Sequence, residues 1–293
     1  MTFAERNTAV KLLPSLVAWM SVCIGTLSPV IIAREFFGGE PVWLLPVQIG
    51  FLSGLVVLTV VVDRLRKLRV FALVLIIVRA QFLVDWGTIN QFLDTAVTSG
   101  FYAWAADRTV SFALSVVLLI VLFGLGYDRE DMLLRRGSLA AEFVPVSFPG
   151  LTERRPWRWY ALRWGGGIVL VTLVVVAAQG GRLWLTGLET AELAIVVPVI
   201  LLMAALNAFS EEFVFRAAPL RVLTDALGKQ NALIIMGTVF GISHYYGTPS
   251  GLPAIGLGIF LGWFLGKSML ETQGMGYAWG LHVLLDVIVF TAF

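Results

Sequence analysis

The sequence predicts an all-α fold, a polytopic helical bundle embedded in a membrane, and three observations predict it. Hydrophobic residues make up 58% of the 293 and charged residues only 14%, giving a mean hydropathy of +0.88. A bilayer core needs about 20 consecutive apolar residues per helix, and nine stretches approach that length, at about 12–33, 42–62, 70–88, 109–126, 165–180, 191–222, 231–246, 252–270 and 276–292. Lysine and arginine also gather in alternate connections, the bias that orients membrane helices.

Arg6 and Lys11 stand ahead of the first stretch like the start of a signal peptide, but no small-x-small cleavage site follows, so it is read as an uncleaved span. Cys23 lies within it and is the only cysteine, which excludes an internal disulfide and any cysteine-based zinc or redox site; a buried thiol is expected. The third stretch carries Arg79, Gln81 and Asp85, so eight spans with one re-entrant or interfacial segment is the alternative to nine. Gly50 and Gly54 in the second stretch, and Gly258, Gly262 and Gly266 in the eighth, recur every four residues and strip one helix face for close packing.

Arg64, Arg66, Lys67 and Arg69 follow the second stretch, and Arg129, Arg135, Arg136, Arg154, Arg155, Arg158 and Arg163 follow the fourth, whereas 89–108 holds Asp94, Asp107 and Arg108. The basic connections are expected in the cytoplasm, the amino terminus with them, and 89–108 outside. The chain thereby divides into an amino-terminal bundle, 1–126, a basic amphipathic cytoplasmic segment, 127–164, and a carboxyl-terminal bundle, 165–293. In the middle segment Trp157, Trp159, Tyr160 and Trp164 interleave with arginines, the mixture of an interfacial anchor. Arginines tethered this close to lipid do not suit nucleic acid; the bilayer is their partner.

Charge inside the carboxyl-terminal bundle needs a reason, because each ionisable group in a span costs about 2.5–3.5 kcal/mol even on the lenient insertion scale. Residues 211–216 read Glu-Glu-Phe-Val-Phe-Arg. On a helix Glu212 and Arg216 share a face as an i,i+4 pair, while Glu211 turns about 100° away and stays free. Asn207 is one turn earlier and within reach of the Glu211 carboxylate. Both histidines of the chain also fall here: His244 closes Phe240-x-x-x-His244, with Phe240 set to wedge the ring, and His282 opens His282-x-x-x-Asp286. If the sixth and seventh helices form a hairpin about Gly228, Glu211 and His244 lie equally far from its midpoint and meet across it. A carboxylate beside an imidazole can hold and deprotonate a water, and nearby donors can stabilise the oxyanion formed on an attacked carbonyl. Peptide hydrolysis is the chemistry this set suggests.

Glu211-Glu212-x-x-x-Arg216, Phe240-x-x-x-His244 and His282-x-x-x-Asp286 resemble, in order and in membrane context, the three motifs of the CAAX protease and bacteriocin-processing family, the intramembrane endopeptidases of the Ras-converting prenyl protease type. The resemblance covers about 191–293. It implies that Glu211 activates water with His244, that Glu212 and Arg216 support them, and that His282 and Asp286 serve the oxyanion. The prenyl-protein enzymes have asparagine where Asp286 stands, so this aspartate is expected either to be protonated or to orient His282. Many relatives have glycine where Ala217 stands, a matter of packing.

No cofactor is expected. If a metal such as zinc is held, Glu211, His244 and His282 are its ligands, although the chain lacks the His-Glu-x-x-His helix of zinc peptidases. The expected partners are a peptide or protein substrate at the membrane, prenylated or leader-like, with the cavity opening to the cytoplasm. The competing class is a non-enzymatic membrane protein, a bacteriocin-immunity factor, scaffold or transporter retaining the polar cluster; a transporter would show repeated halves and paired broken helices, and no such repeat is visible.

Overall fold

The structure, a computed structural model, describes residues 3–83, 100–181, 183–247 and 250–292. Helix α1 (Phe3–Gly25) and α2 (Ser28–Phe37) form a bent pair, with 43° between Leu12–Gly25 and Ser28–Phe37. Pro29 cannot donate a backbone hydrogen bond and its ring crowds the turn before it, which breaks the helix there. From α3 (Leu44–Val61), Gln48 donates to the freed carbonyls of Ile24 and Thr26 at 2.6 and 2.8 Å. A 3₁₀ turn, Asp63–Leu68, leads into α4 (Arg69–Ala80), then α5 (Gly100–Gly124).

A connection that includes a single β-bridge, Glu142 with Pro156, precedes α6 (Trp157–Ala178). Helix α7 (Thr190–Glu212) opens on a reciprocal cap between Glu189 and Glu192 and ends in a π-helical turn, Phe213–Ala217. There Ala218 N–H reaches back to the Phe213 carbonyl, at 2.9 Å, just before Pro219. Helix α8 (Leu220–Leu227) turns at Gly228, whose φ of 86° suits a residue without Cβ, into α9 (Lys229–Ser243). Helices α10 (Gly251–Thr272) and α11 (Gly276–Phe290) complete the bundle.

The described residues are all-helical with no strand, and the chain is an integral membrane protein. Leu44–Val61, Trp104–Gly124, Trp157–Ala178, Thr190–Leu227 and Gly251–Thr272 are long and apolar enough to cross a bilayer, five segments, or six with the bent α1–α2 pair. This is fewer than the eight or nine expected, because α4, α9 and α11 have 12, 15 and 15 residues. The end of the doubtful third stretch, 84–88, and Asp85 and Asp94 lie outside the described residues. Asp107 and Arg108, expected in a connection, are instead inside α5, where the run after Gly100 contains no proline or glycine to break it until Gly124.

The connections after α3, α5, α8 and α10 gather at one end of the bundle. Lys67 meets Asp225 at 3.4 Å, Arg221 donates to the Glu130 carbonyl at 2.7 Å, and Met275 N–H donates to the Leu133 and Arg135 carbonyls. A Cβ on Gly274 would stand 2.4 Å from the Arg135 carbonyl, so the loop and the α10–α11 turn touch backbone to backbone. Beneath them Glu271 accepts from Lys267, from Lys229, from the Trp157 indole at 3.0 Å and from Val144 N–H at 3.2 Å. Trp157 and Tyr160 therefore belong to the core, stacked about Phe143, while Arg155 and Arg163 lie over the half-buried Trp159 ring as an anchor would.

The two glycine series differ. Gly258 and Gly262 lie against Gly241 and Gly237 of α9, where an added Cβ would come within 2.7 and 2.8 Å of backbone, whereas Gly50 and Gly54 face open space. Cys23, expected to be buried, sits on the exposed side of α1.

Candidate active site

Helix α7 carries four of the polar groups because Asn207, Glu211, Ser210 and Glu212 fall in its last two turns. The π-turn continues the helix with a wider radius and still lets Arg216 fold back on Glu212, so the expected ion pair forms; both side chains are almost fully buried. Arg216 also donates from Nε to the Gly262 carbonyl at 3.3 Å and lies 4.1 Å over the Phe240 ring. Such a pair holds two charges in an apolar interior only because each keeps several partners.

The hairpin about Gly228 brings His244 to Glu211, with Nε2 3.5 Å from Oε2. Its Nδ1 is 2.8 Å from the Phe240 carbonyl. A carbonyl only accepts, so Nδ1 carries the hydrogen and Nε2 presents its lone pair towards Glu211. The Phe240 ring packs on the imidazole at 4.2 Å, the wedge expected from the spacing. His282 comes from α11: its Nδ1 is 2.6 Å from Glu212 Oε1, its Nε2 3.5 Å from Glu211 Oε2 and 3.7 Å from Asp286 Oδ1. Glu212 thus orients both Arg216 and His282, and the three motifs converge on one place.

Asn207 sits at the centre of a second set of bonds. Its Nδ2 donates to Glu211 Oε1 at 3.1 Å and to Asp286 Oδ2 at 2.9 Å, while its Oδ1 accepts from Arg108 Nη1 at 3.0 Å. Arginine can only donate, which fixes the amide orientation and leaves both amide hydrogens for the carboxylates. The sequence pointed to Asn207 but not to Arg108, which reads as a loop cation until α5 is packed on α7. Arg108 also pairs with Asp107 at 3.1 Å.

With Oε1 of Glu211 held by Asn207, Oε2 is buried without a protein hydrogen bond and faces the Nε2 atoms of both histidines. Each Nε2 is 3.5 Å from Oε2, a separation that lets one water molecule bond to the carboxylate and to an imidazole together. Among the described residues no group of three or more histidine, cysteine, aspartate or glutamate side chains is arranged to hold a metal ion.

The cluster lines one wall of a cavity of about 970 Å³. Much of the remaining lining is apolar, with Val171 and Val175 of α6, Leu257 and Leu261 of α10, and Leu285 and Val289 of α11. Trp104, Arg108, Tyr246 and Gly247 also line it. Trp164, Gly167 and Ile168 extend the lining along α6 towards the basic connection, where the Trp164 indole donates to the Gly150 carbonyl at 3.3 Å.

No curated protein and no solved structure matches the chain significantly. Residues 192–288 match the family model described as Rce1-like, the type II CAAX prenyl endopeptidases, so the carboxyl-terminal third of this chain is similar to the CAAX prenyl protease family in the segment that assembles the site.

Proposed function

We propose that the protein is an intramembrane endopeptidase that hydrolyses peptide bonds of membrane-associated substrates with water activated by Glu211 and His244. The observation that carries this reading is the Glu211 carboxylate: one oxygen is held by Asn207, and the other faces two imidazole nitrogens in the wall of an apolar cavity. The family similarity supports the same chemistry and, for relatives of this kind, a prenylated CAAX-type peptide; leader-peptide processing would use the same site.

In the reaction a water held by Glu211 Oε2 and His244 Nε2 gives a proton to Glu211 while its oxygen bonds to the scissile carbonyl carbon. The carbonyl π electrons move onto oxygen, and the resulting oxyanion faces His282 and Asp286; a proton carried on His282 Nε2 or Asp286 Oδ1 supplies the donor. When the C–N bond breaks, the proton taken up by Glu211 passes to the leaving nitrogen, so the products are a carboxylic acid and an amine. Glu212 and Arg216 fix the position and tautomer of His282. No metal enters these steps.

The same reading keeps three organisational units, 1–126, 127–164 and 165–293, the amino terminus in the cytoplasm, and up to nine bilayer crossings if α4, α9 and α11 are counted as short crossings beside the six longer ones.

The test is cleavage of fluorogenic prenylated and leader-type peptides by purified protein in detergent, comparing wild type, Glu211→Gln and a chelator-treated sample. Cleavage lost in the variant and kept with chelator supports glutamate chemistry. Loss to chelator that zinc restores supports a metallopeptidase instead, and equal signal in wild type and variant leaves a non-enzymatic scaffold, immunity factor or transporter.

A further inference from the structure

We propose that Phe260 is a specificity-determining residue that closes one end of the catalytic cavity and so limits the length of the apolar chain a substrate can bring into it. The inference rests on the endopeptidase reading for its substrate and adds the side chain that selects among substrates.

The observation behind it is a second hollow beside the first. Next to the cavity of about 970 Å³ lies another of about 610 Å³, lined by α9, α10 and the connection before α6. Its lining is mostly apolar, with Val146, Ile234, Ile259 and Trp263. Among the described residues Phe260 is the one side chain common to both linings.

Spacing along α10 explains that double position. Counting about 100° per residue from Gly256, the residues Ile259, Phe260 and Trp263 fall within about 60° of it, and these four face the second hollow. Ala254, Leu257 and Leu261 face the cavity and centre about 130° away from Gly256. Phe260, at about 40°, stands on the edge between the two stripes. Rings flank it on both sides. Trp164, which lines the cavity, lies 5.6 Å from the Phe260 ring, and Phe148, which lines the second hollow, lies 5.8 Å from it. Trp164 and Phe148 are 5.9 Å apart, and the Trp164 indole is tied to the Gly150 carbonyl at 3.3 Å. The three rings make a partition, and Phe260 is the member that touches both spaces.

An apolar chain on a substrate whose scissile bond sits at Glu211 lies along the apolar residues of α6 and α10 and ends against this partition. A longer chain has to fold back or leave its last carbons outside the cavity, and each of them forfeits its packing contacts. Removing the Phe260 ring joins the two hollows and gives those carbons a place.

Binding is measured first, so that the result does not depend on hydrolysis. The probes are N-acetyl-S-geranyl-, S-farnesyl- and S-geranylgeranyl-cysteine amides, each one isoprene unit longer than the last. Their Kd values are measured by equilibrium dialysis against purified wild type, Phe260→Ala and Trp263→Ala in detergent, with Phe260→Val as a milder truncation should the alanine variant not be monodisperse. Trp263 lines only the second hollow, so its variant loses a large side chain without opening the partition. The affinity for the geranylgeranyl probe relative to the geranyl probe is expected to rise about tenfold or more in Phe260→Ala and to stay within about twofold of wild type in Trp263→Ala. An unchanged ratio in the Phe260 variants, an equal rise in Trp263→Ala, or no saturable binding of any probe to wild type overturns the inference.

The same three chains are then placed on a cleavable peptide, and the ratios of kcat/KM should follow the ratios of affinity. If the affinity ratio shifts as expected while wild type cleaves none of the peptides, the length limit stands and the endopeptidase reading fails.

Discussion

Gly241→Ala places one methyl group where α9 and α10 leave no room for it. Its Cβ would stand 2.5 Å from the Ile255 carbonyl oxygen, 2.8 Å from Ile259 Cγ1 and 2.9 Å from Ile259 N. Favourable contacts begin near about 3.5 Å, so the overlap is about 1 Å against backbone that cannot rotate away. Overpacking of this kind costs about 1–3 kcal/mol, and relief requires α9 to move off α10. His244 follows three residues later and shifts with the helix, which disturbs its 3.5 Å approach to Glu211. A displacement of about 1 Å at a reacting group costs about 10²-fold in rate. The matched control is Gly256→Ala on α10, where nothing lies within 4 Å of the added Cβ; there alanine favours the helix by about 0.5–1 kcal/mol. Thermal melting in detergent and cleavage of a fluorogenic prenylated peptide are measured on both variants. A Gly241→Ala protein that melts with wild type and turns over within about twofold of it would refute the claim that this contact sets the site's geometry.

Glu271→Gln removes the charge that gathers Lys267 and Lys229, and loss of one partner from a buried ion cluster costs about 3–5 kcal/mol; the melting temperature falls and limited proteolysis rises between residues 137 and 156, while kcat of the surviving folded protein stays within about threefold. Leu257→Trp fills part of the apolar wall, so KM for a prenylated peptide rises about tenfold or more with kcat little changed, as for loss of uniform binding; a rise in KM equal for prenylated and unprenylated peptides counts against a lipid-binding wall. Asp128 lies outside the membrane, and backbone N–H groups of Asp131 and Glu130 hold its carboxyl below the usual range. Its contribution to the loop is therefore present above the unfolded value and lost as pH falls through the lower, folded one. Hydrogen exchange at those two amides should stay slow until strongly acid pH in wild type and be fast at neutral pH in Asp128→Ala.

What the sequence made legible is what local spacing controls. Glu212 with Arg216, Phe240 with His244 and His282 with Asp286 are each four apart on one helix, so periodicity alone pairs them. The meeting of Glu211 with His244 followed from their equal distance from the midpoint of the hairpin that turns at Gly228. Arg108 was illegible because its role depends on α5 lying against α7, a contact between residues 99 positions apart. The close approach at Gly258 and Gly262 and the open space at Gly50 and Gly54 share one spacing; the partner helix, absent from the pattern, decides between them. Hydropathy found the long helices, while α4 and α9 are only 12 and 15 residues long, and an apolar run marks burial in lipid or in protein equally.

The Glu212–Arg216 pair has a consequence for how the chain enters the membrane. Synthesis delivers α7 to the bilayer before α9 and α11 exist, so the helix must insert without either histidine. Unpaired, each of its charges would oppose insertion by about 2.5–3.5 kcal/mol. Glu212 and Arg216 travel on the same helix and neutralise each other from the start, and Glu211 finds Asn207 one turn away, with Arg108 already made in α5. The later helices bring the imidazoles, His282 accompanied by Asp286 on its own helix. The polar centre is thus assembled in an order that the linear sequence respects, and a permuted chain that began at α7 would have to insert Glu211 before Arg108 was there to meet it.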